Sequence, residues 1–339
     1  MWYEYKSTKI YISNFEIRKK YKLLILDLDA TLITRKNGKI PFYQDPDPNN
    51  WIFLGDVKEI LTKYNNKGYL IVIMTNQSKF TLAIKEKIIS VISELFFNLI
   101  VMIFKEQKSK DLQFRKPSLG SLDILFTLLN IEKASYIEDL PFPPVSEEKS
   151  TIKKIIVSGD AINVNDEYPP YRWSDVDFML YKNIKSLISK TKFIRPIDLF
   201  PSNEKLLLEN INEDVVILMG NQGSGKSTFS KKLAEYNNYV FLNQDYLKTQ
   251  VKILRLAKEN LEIGNKIIID ATNSSIEKRK IWIDLAKSFN LSSSIVWIIK
   301  DGYQFNKYRV TLVPNIAYNI YTKNFQEPTN DETIVYKLW

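Results

Sequence analysis

The chain contains no cysteine and no histidine. Without thiols there is no disulfide, cysteine nucleophile or thiolate metal ligand; without imidazole there is no Ser-His-Asp triad, His-bound zinc or phosphohistidine. Chemistry here must run on carboxylates, hydroxyls, Lys, Arg and non-thiol cofactors. Glycine is scarce, ten in 339 residues, and so is arginine, eight of the 48 basic residues against forty Lys. Lysine meets phosphate as a point charge and lacks the bidentate fork of a guanidinium. Long apolar runs are also missing: LFFNLIVMIF, residues 95 to 104, contains Asn98 and is too short to span a bilayer. The charged, aromatic start MWYEYKSTK lacks the apolar stretch of a signal peptide. These absences predict a soluble intracellular protein, nuclear or cytoplasmic, with no membrane partner.

What is present suits folded cores. The chain is 45% hydrophobic and 13% aromatic, and its length suggests about two domains. The net charge of +9 is spread over both halves: residues 1 to 200 carry 30 basic and 24 acidic groups, residues 201 to 339 carry 18 and 15. Charge alone leaves two readings open, a solvated lysine surface or affinity for a nucleic-acid backbone.

Two strand–loop openings organise the sequence. KLLILDLDATLIT, residues 22 to 34, is a buried parallel strand ending on acids. VVILMGNQGSGKSTFSKKLAEY, residues 215 to 236, is a strand, a Gly-rich loop and a helix. Between them YLIVIM (69 to 74), LIVMIF (99 to 104) and KIIVSG (154 to 159) alternate with helical segments such as VKEILTKYNN and SLDILFTLLN. After the second opening come YVFLN (239 to 243), KIIID (266 to 270) and SIVWII (294 to 299). That rhythm predicts an α/β protein of two parallel-sheet domains, residues 1–200 and 201–339. The join is expected in KFIRPIDLFPSNEK, residues 192 to 205, and the Pro-rich LPFPPVSEEKS, 140 to 150, reads as a surface loop.

The second opening carries a phosphate cradle. Gly220-Asn221-Gln222-Gly223-Ser224-Gly225-Lys226-Ser227 fits GxxxxGK[ST] between a strand and a helix. Successive backbone N–H groups make an anion pocket, Lys226 neutralises β/γ-phosphates and Ser227 holds Mg²⁺. Gly220, Gly223, Ser224, Gly225, Lys226, Ser227 and Thr228 are therefore the candidate ATP contacts. The loop does not name the acceptor. Asp245, just past YVFLN, is placed to take a proton from an acceptor hydroxyl, and Asp270 ends KIIID; either is equally readable as a cap or surface acid. Arg309 can close over a transferred phosphoryl group or lie on the surface.

The first opening carries a carboxylate nucleophile. Asp27-Leu28-Asp29-Ala30-Thr31 is DxDxT at a strand end, and its spacing sends both carboxylates to one side. One can attack phosphorus and bind Mg²⁺ while the other moves a proton. Thr75-Asn76 follows YLIVIM and offers a hydroxyl and an N–H to phosphate. In FRKP, Lys116 can neutralise an aspartyl-phosphate, with Arg115 beside it for substrate phosphate, and Asp160 after KIIVSG offers a second metal carboxylate.

These pieces resemble the two-domain polynucleotide kinase 3′-phosphatase family, a haloacid-dehalogenase-type phosphatase followed by a P-loop kinase. The resemblance covers nearly the whole chain. It rests on LDLDATLIT, NNWIFLGDVKEIL, VIMTNQSKF, FRKP, SGDA and SDVDFMLYKNI, then on GNQGSGKSTF, NQDYL, DATN and the stretch NKYR through QEPT. It implies Asp27 as nucleophile, Asp29 as general acid/base, Thr75 and Lys116 on phosphate, and Asp27, Asp29 and Asp160 around Mg²⁺. Asp175 is a further candidate acid. In the kinase it implies Lys226 and Ser227 on ATP and Mg²⁺, Asp245 on the 5′-hydroxyl and Arg309 in the lid. Three positions depart from the pattern. Ala30 replaces the usual Gly, Gln244 the Arg of an NRD sequence, and Phe305 a second lid Arg of a phage relative.

The expectation is an end-healing enzyme that removes 3′-phosphate and phosphorylates 5′-hydroxyl with ATP. It acts as a monomer on DNA ends, with RNA left open, and Trp51, Tyr171 or Trp173 can stack on bases or line the core. About twenty residues precede the first core strand, so no forkhead-associated, phosphoprotein-recruiting domain is expected. A viral origin fits the Lys-, Asn- and Ile-rich composition. The alternatives are a phosphatase whose P-loop binds ATP but transfers poorly, an ATP-gated nucleic-acid scaffold, and a small-molecule kinase/phosphatase that would not bind oligonucleotides at low salt.

Overall fold

The computed structural model describes residues 1–13, 18–37, 47–77, 80–105, 116, 118–131, 140, 149–159, 175–300, 302, 306 and 312–339, without the side chains of 175–179 and 197. The chain divides into two compact units, Met1–Ile33 with Phe42–Pro201, and Thr34–Pro41 with Ser202–Trp339. Arg115, Asp160, Arg309, Phe305, Tyr171, Trp173, the Asp175 side chain and most of the Pro-rich segment lie outside the described residues.

Unit 1 opens with the hairpin β1 (Trp2–Tyr5) and β2 (Thr8–Ile12), then β3 (Lys20–Leu26) and β5 (Ile52–Phe53), while β4 (Ile33–Thr34) holds the last residue before the chain passes to unit 2 and the first after it. It continues through α1 (Val57–Asn66), β6 (Tyr69–Gln77), α2 (Leu82–Ser93), β7 (Leu99–Lys105), α3 (Leu119–Leu128) and β8 (Thr151–Ser158). α4 (Asp175–Leu187), β9 (Thr191–Phe193) and α5 (Pro196–Leu199) complete it. Among the described residues the main sheet runs β1-β2-β7-β6-β3-β8-β9, and β4 pairs β5 apart from it. β3, β6, β7, β8 and β9 are parallel, and the antiparallel hairpin is added at the β7 edge.

The unbroken apolar runs have a simple cause: both faces of the sheet are covered. Leu23, Ile25, Val72, Met102 and Val157 pack toward one core with residues of α3 and α4. Their neighbours Leu24, Leu26, Ile71, Ile73, Val101 and Ile156 pack toward another with residues of α1 and α2. Trp51 packs against this second core and sits edge-on to Phe53, ring centroids 5.1 Å apart, which favours the core-lining reading of that residue.

Unit 2 contains α6 (Glu204–Asn210), β10 (Val215–Met219), α7 (Lys226–Asn237), β11 (Val240–Asn243), α8 (Gln244–Leu247) and α9 (Gln250–Glu262). After them come β12 (Ile267–Asp270), α10 (Ile276–Ser288), β13 (Ser293–Ile298), α11 (Asn315–Lys323) and β14 (Ile334–Leu338). The sheet order is β11-β12-β10-β13-β14 and every described pairing is parallel. The N-terminal hairpin, β9 and β14 were not among the strands read from the sequence. Each lies toward a sheet edge, where alternating polar residues dilute the apolar signal. Among the described residues no helix is long and apolar enough to cross a membrane.

Candidate active sites

In a parallel sheet all strands end on the same edge, so residues far apart in sequence meet there. In unit 1, β3 is flanked by β6 and β8, with Leu26 opposite Ile73 and Ser158. Asp27 follows directly, and its N–H donates to the Ser158 carbonyl at 3.0 Å. Lys116 Nζ donates to Asp27 Oδ1 at 2.8 Å, with side chains only 2% and 13% exposed. The Asn76 side chain holds this lysine by its backbone: Nδ2 donates to the Lys116 carbonyl and Oδ1 accepts from its N–H, both at 3.1 Å.

Asp29 is held at both oxygens. Lys87 Nζ donates to Oδ1 at 3.1 Å and Gln77 Nε2 to Oδ2 at 2.8 Å. The same Gln77 nitrogen donates to Thr75 Oγ1 at 2.8 Å. Between Asp29 and Thr31 the chain turns on Ala30, whose φ is +60°. The turn is closed by the Ala30 N–H donating to the Ile33 carbonyl at 2.9 Å. The predicted Asp27, Asp29, Thr75, Asn76 and Lys116 thus share one sheet edge. Gln77 and Lys87 were missed. Gln77 lies in VIMTNQSKF, two residues after Thr75, but an amide there carries no signal of its own. Lys87 falls on the buried stripe of α2 with Ile84, Ile88 and Val91. A lysine on an apolar stripe signals a buried cation that needs an anionic partner.

In unit 2, Leu218 of β10 lies opposite Asp270 of β12, which brings Asp270 beside the start of the Gly-rich loop. α7 begins at Lys226 after Gly225, whose φ of +100° suits glycine. Lys226 Nζ folds back onto the loop and donates to the carbonyls of Gly220 and Asn221, at 2.9 and 2.6 Å. Ser224 Oγ is buried without a hydrogen-bond partner among the described residues. A loop with an orphaned hydroxyl and an ammonium parked on its own carbonyls is built to exchange those contacts for an anion.

Asp270 Oδ2 accepts from Ser227 Oγ at 2.7 Å and from Asn243 Nδ2 at 2.6 Å. Asn243 Oδ1 in turn accepts from the Tyr246 N–H at 3.1 Å, capping the short α8 that carries exposed Gln244 and Asp245. One asparagine therefore ties the Asp245 element to Ser227 and Asp270. The DATN segment braces the loop. Gly220 N–H donates to the Thr272 carbonyl at 3.3 Å, and Asn273 Nδ2 donates to the Leu218 carbonyl at 2.7 Å. Gly223 has φ +80°, and a Cβ there would stand 2.6 Å from the Gly302 carbonyl oxygen, so backbone packs directly on backbone. Asn243, Asn273 and Gly302 were also missed as supporting residues.

The oxygen donors at these edges suit a hard divalent cation. They are the Asp27 carboxylate in unit 1 and the Ser227 hydroxyl with the Asp270 carboxylate in unit 2.

Residues 22–200 match the family model described as polynucleotide kinase 3 phosphatase, and residues 215–302 match one described as an AAA domain. A bifunctional polynucleotide phosphatase/kinase of Schizosaccharomyces pombe is 27% identical over 95% of this chain and 80% of its own length. A protein of Acanthamoeba polyphaga mimivirus, described as a putative bifunctional polynucleotide phosphatase/kinase, is 24% identical over 90% of this chain and 81% of its own. Among solved structures, a gluconokinase from Sinorhizobium meliloti aligns at 16% identity over 37% of this chain and 83% of that one, with a TM-score of 0.31. A phosphatase domain thus precedes a P-loop domain, and the first match alone, residues 22–200, spans more than half of the 339. The chain belongs to the polynucleotide kinase 3 phosphatase family.

Proposed function

We propose that this enzyme heals nucleic-acid ends, with unit 1 removing a 3′-phosphate and unit 2 phosphorylating a 5′-hydroxyl from ATP. The observation that carries the reading is the buried Lys116 ammonium 2.8 Å from the Asp27 carboxylate at the end of the central strand. It leaves a carboxylate beside the cation that would neutralise a phosphoryl group on it. Asp27 attacks phosphorus and the bond to the 3′-oxygen breaks, with Asp29 giving that oxygen a proton. Water then attacks the aspartyl-phosphate and returns a proton to Asp29, freeing inorganic phosphate. Thr75 and Arg115 hold the phosphate oxygens, and Asn76 keeps Lys116 in place. Mg²⁺ would be held at Asp27 and Asp160, where it would neutralise charge on the phosphoryl oxygens, whereas both Asp29 oxygens, the third carboxylate expected there, are already taken by Lys87 and Gln77.

In unit 2, Gly220, Gly223, Ser224, Gly225 and Thr228 cradle ATP while Lys226 leaves its two carbonyls for the phosphates. Ser227 and Asp270 are the hydroxyl and carboxylate suited to Mg²⁺. Asp245 takes the proton of the 5′-hydroxyl as that oxygen attacks the γ-phosphorus, and Arg309 closes from the lid. The relatives of S. pombe and the mimivirus support the pairing of both activities by their names. Gln244 favours a second reading, a phosphatase with weak phosphoryl transfer, because an amide gives no cationic clamp.

Matched DNA and RNA oligonucleotides bearing 3′-phosphate and 5′-hydroxyl ends test both halves. The expected outcome is phosphate release that Asp27→Ala abolishes and label transfer from ATP that Asp245→Asn abolishes. Phosphate release without label transfer would select the second reading, and binding with neither reaction would leave only a scaffold.

A further inference from the structure

We propose that Lys87 and Gln77 are positioning residues that fix the Asp29 carboxylate so that its proton goes to the leaving 3′-oxygen. This rests on the phosphatase reading of unit 1.

Lys87 extends from α2, which starts at the Thr81 cap, where Thr81 Oγ1 accepts from the Ile84 N–H at 3.3 Å. Its position on the helix's apolar stripe leaves the side chain 4% exposed, while the Asp29 side chain it reaches is 31% exposed. An ammonium is not buried for packing alone, because desolvation opposes it unless an anion lies within reach. Here the anion is the carboxylate expected to move protons, and it stands at the open end of the pair.

Gln77 is buried, 2% exposed, at the end of β6. Its amide nitrogen, which carries two hydrogens, faces both Asp29 and Thr75. The two hydrogens on that nitrogen serve Asp29 Oδ2 and Thr75 Oγ1, each at 2.8 Å. Asp29 is therefore anchored at Oδ1 by a cation and linked at Oδ2 to the residue assigned to phosphate. In the first step the Asp27–phosphorus bond forms, the phosphorus–O3′ bond breaks, and the proton moves from Asp29 to O3′. Lys87 holds Oδ1 and Gln77 holds Oδ2, so the carboxyl that exchanges the proton is fixed at both oxygens, with Oδ2 on the Thr75 side. Gln77 sets the distance of that oxygen from the phosphate held at Thr75.

A residue that acts only through Asp29 matters most when the leaving group needs a proton. A sugar alkoxide needs one and nitrophenolate does not. The test is the first-turnover rate, by rapid quench, on a 3′-phosphoryl oligonucleotide and on p-nitrophenyl phosphate. In Lys87→Met the ratio of the two rates, oligonucleotide over nitrophenyl phosphate, is expected to fall by about tenfold or more. Gln77→Leu should shift the ratio the same way, and Lys87→Arg, which keeps the charge, should restore part of it. A misfolded Lys87→Met would lose both rates, and the other two variants then supply the ratio. An unchanged ratio, whether both rates fall together or neither falls, overturns the inference. A wild-type chain that clears neither substrate overturns the phosphatase reading and this inference with it.

Discussion

Ala30 sits between Asp29 and the buried Thr31 with φ +60°, a left-handed conformation that a Cβ opposes. Glycine, the residue usual at this place in the family, adopts it freely. The turn needs it: the Leu28 carbonyl accepts from the N–H groups of Leu32 and Ile33, at 2.9 and 3.1 Å, folding the chain back beneath the two aspartates. Ala30→Gly should therefore raise the free energy of unfolding by about 1 kcal/mol, relief of left-handed strain outweighing the extra freedom of the unfolded chain. Denaturant titration reads the change, and a fall in stability would mean that the strain is absorbed elsewhere. The alanine itself was plain in the sequence as a departure; its strain was not, because φ is set by the hydrogen bonds that close the turn.

At the scale of elements, the C-terminal QEPT stretch acts as a strut. The Gln326 N–H donates to the Ser274 carbonyl and its Oε1 accepts from the Ile276 N–H, both at 2.8 Å, which pins the start of α10. Behind it the Arg279 guanidinium, fully buried, donates to both Glu332 oxygens at 2.8 and 2.7 Å and to the Gln326 carbonyl at 3.0 Å. A bidentate pair of this kind joins α10 to the segment before β14 and braces the DATN turn, since Arg279 also donates to the Asn273 carbonyl at 3.3 Å. Removing one partner strands a buried charge. Arg279→Ala is expected to destabilise the chain by about 3–5 kcal/mol, measurable as a lowered denaturation midpoint. Replacing Arg279 and Glu332 together by apolar residues should be milder than Arg279→Ala alone. Equal losses in both variants would mean that packing, and not the charge pair, supplies the stability.

For the whole molecule, alkaline pH offers a probe of unit 2. Burial, with the Glu213 carboxylate accepting its hydroxyl at 2.9 Å, pushes Tyr336 up to about 12. Burial, reinforced by Glu213 and Asp214, also raises Tyr239, and burial raises Tyr321. A tyrosine whose folded pKa exceeds its unfolded value near 10 favours the folded state wherever the neutral form prevails in both. That contribution is complete below about pH 10 and is lost as pH climbs through the folded value. The unfolding midpoint followed by fluorescence of buried Trp297 should decline above about pH 10, and Tyr336→Phe should make the decline shallower. An identical slope in the variant would remove Tyr336 from the account.

Much of this protein was legible along the chain. Apolar runs with both neighbours buried read as parallel strands. A Gly-rich loop between strand and helix read as a phosphate cradle, and DxDxT at a strand end read as two carboxylates gathered at one sheet edge. These signals are local: each lies within one strand and its following turn, where spacing alone decides which way side chains face. Only the tertiary structure decided the partners. Lys116 and Asp27 are 89 residues apart, Lys87 and Asp29 are 58 apart, and Asn243 reaches Asp270 across 27. Such pairs form because parallel strands separated by helical crossovers end on one edge, and no pattern within a single segment encodes which lysine arrives there. The edge strands β1, β9 and β14 were hidden for the converse reason: their polar, half-exposed residues gain their place from a neighbour already in the sheet.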